Sequence, residues 1–299
     1  MQFEHLGMVG YGEVGKVFSA GLKPRAERVS TWDAKLADAA QAAALQTHAA
    51  SVGVAVADSM AQLCADSNLL ISAVTASNTL AVAQAAAPHI RPGTVFLDLN
   101  SASPGTKQQA AQLIDAAGGH YVEAGVMTSV PPYGIRVPML LGGARAAELA
   151  ELLKTWGLDA RAVSVDLGVA SAIKMCRSVM IKGLEALVIE SYATARAYGV
   201  EDHVLPTLVE TFPSIDWSQQ GAYFFSRVVQ HGKRRAEEMR EAANTVQEAG
   251  FPPFMAQAIA EKQQWVADQA ALGAFNGLGK EATWQDYADR LTAAFPRSR

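Results

Sequence analysis

Short runs of apolar or β-branched residues recur through the first half of the chain, at 5–9, 28–32, 53–56, 69–74, 94–98, 121–124, 137–141 and 162–165. Stretches of helical spacing alternate with them, at 13–22, 35–47, 59–65, 77–87, 104–117 and 144–156. Strands joined by helix-length connections predict parallel pairing through right-handed crossovers. The pattern is that of an α/β doubly wound parallel sheet. The alternation stops near Asp166. Residues 168–198 read as one long helix without proline, stopped by Gly199. Residues 204–212, 221–249, 253–272 and 283–295 keep helical spacing, with Pro206, Pro213, Pro252 and Pro253 marking turns or first helical turns. Two domains are expected: 1–165, and an all-helical 166–299 begun by the long bridging helix.

Composition narrows the class. Half of the 299 residues are hydrophobic, which excludes a disordered chain. Alanine supplies 56 residues, nine of them among residues 31–50, as suits helices lying close on a sheet. A net charge of −4 argues against nucleic acid as a partner. Two cysteines exclude a disulfide scaffold. No basic, apolar leader opens the chain, and no uncharged apolar run reaches the ~20 residues of a membrane span. A cytoplasmic protein with no membrane partner is the expectation.

The chemistry starts at Gly10-Tyr11-Gly12-Glu13-Val14-Gly15, a G-x-G-x-x-G between the first strand and the first helix. Gly10 permits the tight turn, Gly12 lets a pyrophosphate approach the backbone, and Gly15 allows close helix–strand packing. The helix N-terminus offers N–H groups to phosphate. Asp33 ends the second strand, where an acid bonds the adenosine ribose hydroxyls and repels a 2′-phosphate. NAD is favoured over NADP, although Lys35 nearby keeps NADP open. Val74 and Thr75, at the end of the fourth strand, complete the expected cofactor-binding set.

A second feature opens the long helix. Lys174, Arg177 and Ser178 share one helical face, and Ile181 and Glu185 continue it. Ile173, Met175, Val179 and Met180 flank them, so the helix is expected to be largely buried. Burial and the Arg177 charge would favour a neutral Lys174 amine, suited to general-base work. A lysine that merely snorkels is the competing reading.

These motifs resemble the β-hydroxyacid dehydrogenases, the superfamily of 3-hydroxyisobutyrate and 6-phosphogluconate dehydrogenases, over nearly the whole chain. The family's D-x-S-T-x-x-P is similar to Asp98-Leu99-Asn100-Ser101-Ala102-Ser103-Pro104. Its D-A-P-V-S-G-G corresponds to Glu123-Ala124-Gly125-Val126-Met127-Thr128-Ser129, where Met-Thr-Ser replaces Ser-Gly-Gly. Its G-x-G-x-x-x-K-x-x-N-N corresponds to 168–178, with Lys174 on the catalytic lysine and Arg177 and Ser178 on the paired Asn positions. The helix His231-Gly232-Lys233-Arg234-Arg235-Ala236-Glu237-Glu238-Met239 resembles an uncharacterised branch of that superfamily.

The resemblance implies a Rossmann-type domain, a helical 6-phosphogluconate dehydrogenase-like domain and a homodimer. It also implies hydride transfer between NAD(P) and a secondary alcohol of a small β-hydroxy acid or related polar compound. Lys174 would be the general acid/base, with Ser178 beside it as a catalytic residue. Asn100, Ser101, Met127, Thr128 and Arg177 would meet the substrate, and Arg136, His231 and Arg235 are candidates to replace the lost carboxylate contacts. In decarboxylating members a Glu about two turns after the lysine donates a proton. Ile181 stands there, so oxidation without decarboxylation is expected. Imine reductases share this architecture but commonly replace the lysine by Asp or Tyr. An imine or keto reductase, and a non-catalytic NAD(P)-binding sensor, are the alternatives.

Overall fold

The computed structural model describes residues 3–295. They form two compact units, one ending at Cys176 and the other beginning at Arg177. The division falls inside the long helix.

The first unit carries eight strands: β1 (His5–Val9), β2 (Arg28–Trp32), β3 (Ala55–Val56), β4 (Leu69–Ser72), β5 (Val95–Asp98), β6 (His120–Val126), β7 (Met139–Gly142) and β8 (Ala160–Ser164). Helices α1 (Glu13–Leu22), α2 (Ala39–Ser51), α3 (Met60–Asp66), α4 (Thr79–Ala86), α5 (Pro104–Ala116) and α6 (Ala146–Thr155) connect them. The sheet order is β3-β2-β1-β4-β5-β6-β7-β8. Strands β1 to β6 are parallel, but β7 pairs antiparallel with β6, with Glu123 opposite Gly142. The parallel expectation holds up to β6 and not at β7, because the connection 127–138 contains only the 3-10 turn Gly134–Arg136. A parallel return usually runs through a full helix.

The expected helix 35–47 divides in two. Asp33 caps a short 3-10 turn at Ala34–Ala37, and Asp38 caps α2 by accepting from the Ala40 N–H. Period-two alternation sends the central strands into two apolar layers. Leu69, Ile71, Val95, Leu97, Val122 and Ala124 pack in one layer. Leu70, Phe96 and Tyr121 pack in the other, with α3, α4 and α5.

Helix α7 (Val169–Tyr198) runs from the first unit into the second. Ile173 and Met180 on it are 40% and 66% exposed, so its apolar residues do not imply uniform burial. The second unit adds α8 (Glu201–Thr211), α9 (Trp217–Glu248), α10 (Phe254–Ala271) and α11 (Trp284–Ala294). Pro206 lies inside α8 instead of at its start. The core face of α9 is a helical stripe: Phe225, Val228, Ala236 and Met239 are all fully buried. Gly232 brings that face close to α10, where a Cβ would meet the Gln263 carbonyl oxygen at 2.7 Å. No helix among the described residues is long and apolar enough to cross a membrane.

Three buried groups make the fold sensitive to alkali. Burial pushes the Cys64 thiol and the Tyr192 phenol each up to about 12. Burial, and then the Asp98 carboxylate, hold the Tyr121 phenol well above its ordinary 10. Each group holds its proton more tightly folded than unfolded. Its stabilisation is therefore full below the ordinary value, 9 for the thiol and 10 for the phenols, and is lost as pH rises past it. The urea midpoint is expected to fall progressively above about pH 9. A midpoint that stays level to pH 11 would contradict this linkage.

Candidate active site

Strand order reverses between β1 and β4, and ligands of open α/β sheets bind outside the carboxyl ends of strands at such a point. Gly10 leaves β1 with φ +90°, and a Cβ on it would meet the Ala73 carbonyl oxygen at 2.5 Å. A Cβ on Gly15 would overlap the Gly10 carbonyl. At Gly12 a Cβ would meet nothing within 4 Å. Packing therefore demands the outer two glycines, while the middle one keeps backbone open to an approaching group. Gly12, the N-cap of α1, has no side chain with which to cap the first turn. Glu13 on that turn is exposed, and Val14 packs against the core.

The Asp33 carboxylate accepts from the Tyr11 N–H at 2.6 Å and the Lys35 N–H at 2.9 Å, tying the glycine turn to the end of β2. Tyr11 is buried, and its hydroxyl lies 3.1 Å from His48 Nδ1. A carboxylate with two N–H donors still has lone pairs for ribose hydroxyls. The turn, the helix start and the acid fit a dinucleotide.

Asn100 does structural work. Its Oδ1 accepts from the Val74 N–H at 2.7 Å and its Nδ2 donates to Ser72 Oγ at 2.9 Å. It is buried, and it binds the turn after β4, where Val74 and Thr75 lie, to the turn after β5. Asp98 supports it from below. One Asp98 oxygen accepts from the Asn100 N–H at 2.8 Å and pairs with Lys107 Nζ at 3.0 Å. The other accepts from the Tyr121 hydroxyl at 2.5 Å. Lys107 and Tyr121 were not among the residues expected from sequence. The available signal was positional: Lys107 heads the buried stripe 107, 110, 111 and 114 of α5.

Ser101 follows Asn100, and Lys174 Nζ donates to Ser101 Oγ at 2.5 Å. Lys174 and Ser101 are half-buried, as is Met127, whose N–H donates to the Pro138 carbonyl. Thr128 is exposed. The start of α7 rests on Glu123, whose Oε1 accepts from the Gly168 N–H at 2.8 Å and the Ala170 N–H at 3.0 Å.

In the second unit Ser178 Oγ accepts from Lys182 Nζ at 3.2 Å, and Lys182 pairs with Glu238 at 2.9 Å. Arg235 is buried and holds Glu185 with both prongs, the Nε–Oε2 bond measuring 2.9 Å. Gln263 Nε2 also reaches Glu185, at 3.2 Å. The Arg235 charge is thus balanced within its own unit. Arg177 and Arg136 are exposed, and His231 is half-buried. Lys182 also escaped the sequence reading, although it continues the four-residue spacing of Lys174 and Ser178.

A glycine turn, an acid closing the second strand and a lysine beside the end of the fifth have the chemistry that a dinucleotide-dependent oxidoreductase would use. The NAD binding domain of 6-phosphogluconate dehydrogenase matches residues 5–162, and a domain of unknown function (DUF1932) matches residues 195–266. A conserved hypothetical protein from Sinorhizobium meliloti 1021 is 39% identical, with a TM-score of 0.75 over 97% of this chain and 96% of that one. The conserved protein MTH1747, whose structure is reported as similar to 3-hydroxyacid dehydrogenases, is 30% identical over 90% of this chain and 98% of its own, with a TM-score of 0.68. The fold is shared with Mycobacterium tuberculosis 3-hydroxyisobutyrate dehydrogenase, solved with L-serine, at 16% identity and a TM-score of 0.65 over 97% of this chain and 99% of that one. The chain belongs to the β-hydroxyacid dehydrogenase-like family, in a branch whose C-terminal half carries the domain of unknown function. It is an NAD(P)-binding, oxidoreductase-type protein.

Proposed function

We propose that this protein transfers hydride between NAD and a secondary alcohol of a small β-hydroxy acid, with Lys174 as general acid/base. The observation that carries the reading is the 2.5 Å contact between Lys174 Nζ and Ser101 Oγ, since Ser101 follows the Asn100 that secures the turn after β4. When bound, the nicotinamide supplies the hydride acceptor. The chain's own residues handle the proton and hold the substrate. Lys174 as free amine takes the hydroxyl proton, and as ammonium returns it in reduction. Ser101 orients that amine, Thr128 and Met127 border the substrate, and Ser178 and Arg177 offer a hydroxyl and a cation to its polar end. Arg235 holds Glu185 and with it the helix pair α7 and α9.

The test is NADH formation, followed by absorbance, across a panel of small β-hydroxy acids. Turnover of at least one acid supports the reading. Binding of NAD without reduction by any of them would make the protein a sensor. Cofactor choice rests on Asp33. Asp33→Asn keeps an oxygen for the Tyr11 N–H and removes the charge, so the NADP/NAD ratio of kcat/KM should rise by about tenfold, equivalent to ~1.4 kcal/mol. An unchanged ratio in initial rates would place discrimination elsewhere.

A further inference from the structure

Glu123 is a fully buried carboxylate in the otherwise apolar interior of β6. Its Oε2 has no hydrogen-bond partner among the described residues. Burying such a group is costly unless it is bonded, so packing alone would favour an apolar side chain here. The partners of Oε1 explain why a carboxyl group stands here. The Gly168 and Ala170 N–H groups belong to the first turn of α7, whose donors have no partner within the helix. Helices are ordinarily capped by the residue just ahead of them. Gly168 has no side chain, and the cap comes from 45 residues upstream.

Two glycines shape the same seat. Gly142 lies opposite Glu123 on β7, and a Cβ there would come within 2.5 Å of Glu123 Oε1. Gly125 lies two residues along β6, on the same face as Glu123. A Cβ on it would stand 2.9 Å from the Ala170 carbonyl oxygen and 3.4 Å from Lys174 Cβ. Neither glycine has the positive φ that requires glycine for backbone reasons. Their smallness answers to the helix and to its cap.

We propose that Glu123, seated by Gly142 and Gly125, is a positioning residue for Lys174. Its carboxylate anchors the first turn of α7, and that turn fixes the direction from which Lys174 reaches Ser101. Loss of the anchor frays the turn and lets the amine drift. A displacement of ~1 Å in a reacting group costs about 10²-fold in rate. That consequence for turnover rests on Lys174 as the acid/base. The geometric claim does not.

The test uses the full chain and three variants. Deuterium exchange is read over residues 169–174, acetylation of Lys174 by acetic anhydride is read by peptide mass spectrometry, and NAD affinity is read by fluorescence titration. In Glu123→Leu, exchange should quicken by about tenfold, and Lys174 should label several times faster than in the parent. NAD affinity should stay within about twofold. Gly142→Ala keeps the charge but crowds the carboxylate off its donors, and should move the first two readouts the same way by less. Glu123→Gln keeps an accepting oxygen and should restore most of the protection. Unchanged Lys174 labelling in a folded Glu123→Leu protein, or an equal loss of NAD affinity, overturns the proposal. Should the leucine variant fail to fold, Gly142→Ala decides by the same readouts. Labelling needs no turnover, so full activity in Lys174→Ala would remove the acid/base reading and leave the positioning role intact.

Discussion

Lys174→Ala is expected to lower turnover by about 10²–10⁴-fold, the usual loss of a general acid/base. NAD affinity should be almost unchanged, because Gly10, Gly12, Gly15 and Asp33, the residues that fit a dinucleotide, sit at the ends of β1 and β2. The measurement is kcat on the best acid of the panel beside an NAD titration of the same sample. A loss confined to KM would mean that Lys174 only holds substrate. Ser101→Ala should give a smaller loss of about tenfold, because it removes the partner that steers the amine and leaves the amine in place.

Asp98→Ala should be the most damaging substitution for stability, at about 3–5 kcal/mol. It leaves the Lys107 ammonium, which is fully buried, without its carboxylate and the Tyr121 hydroxyl without its acceptor. It also frees Asn100 from the bond that sets its backbone, so NAD binding should weaken through the Val74 turn. Urea unfolding measures the first effect and fluorescence titration the second. Adding Lys107→Met should recover part of the stability, since removing both members of a buried pair costs less than removing one. A double variant as unstable as the single one would mean that packing around Asp98, not charge, dominates.

Local rules made much of this legible in the sequence. Strand β1 and helix α1 stand where hydrophobic period and the glycine motif place them, because turn chemistry and patterning act over a few residues. Asp33 could be placed from its distance to the turn. Lys174 was legible as a helical residue among apolar neighbours, but its contact with Ser101 joins residues 73 apart in sequence. Asn100 shows the limit most clearly. Its position in a motif pointed towards substrate, whereas its amide is spent on Val74 and Ser72. Arg235 is similar: basic-face spacing cannot reveal that Glu185 on another helix takes its charge. Glu123 stood at the head of a motif, but its capping role was not legible, because an acid in an apolar strand declares its purpose only when the helix it caps is in place. The reversed β7 escaped because alternation of strand and helix carries no sign of direction.

That reversal has a consequence for how this gene can change. Because β7 and β8 run against β6, the chain enters α7 beside Glu123 of β6 and reaches the end of β5 at Lys174. The six steps from Gly168 to Lys174 act as a ruler between a fixed foot and a fixed target. One inserted or deleted residue there would turn the lysine by about 100° and shift it by about 1.5 Å. The number of residues from 169 to 173 is therefore fixed.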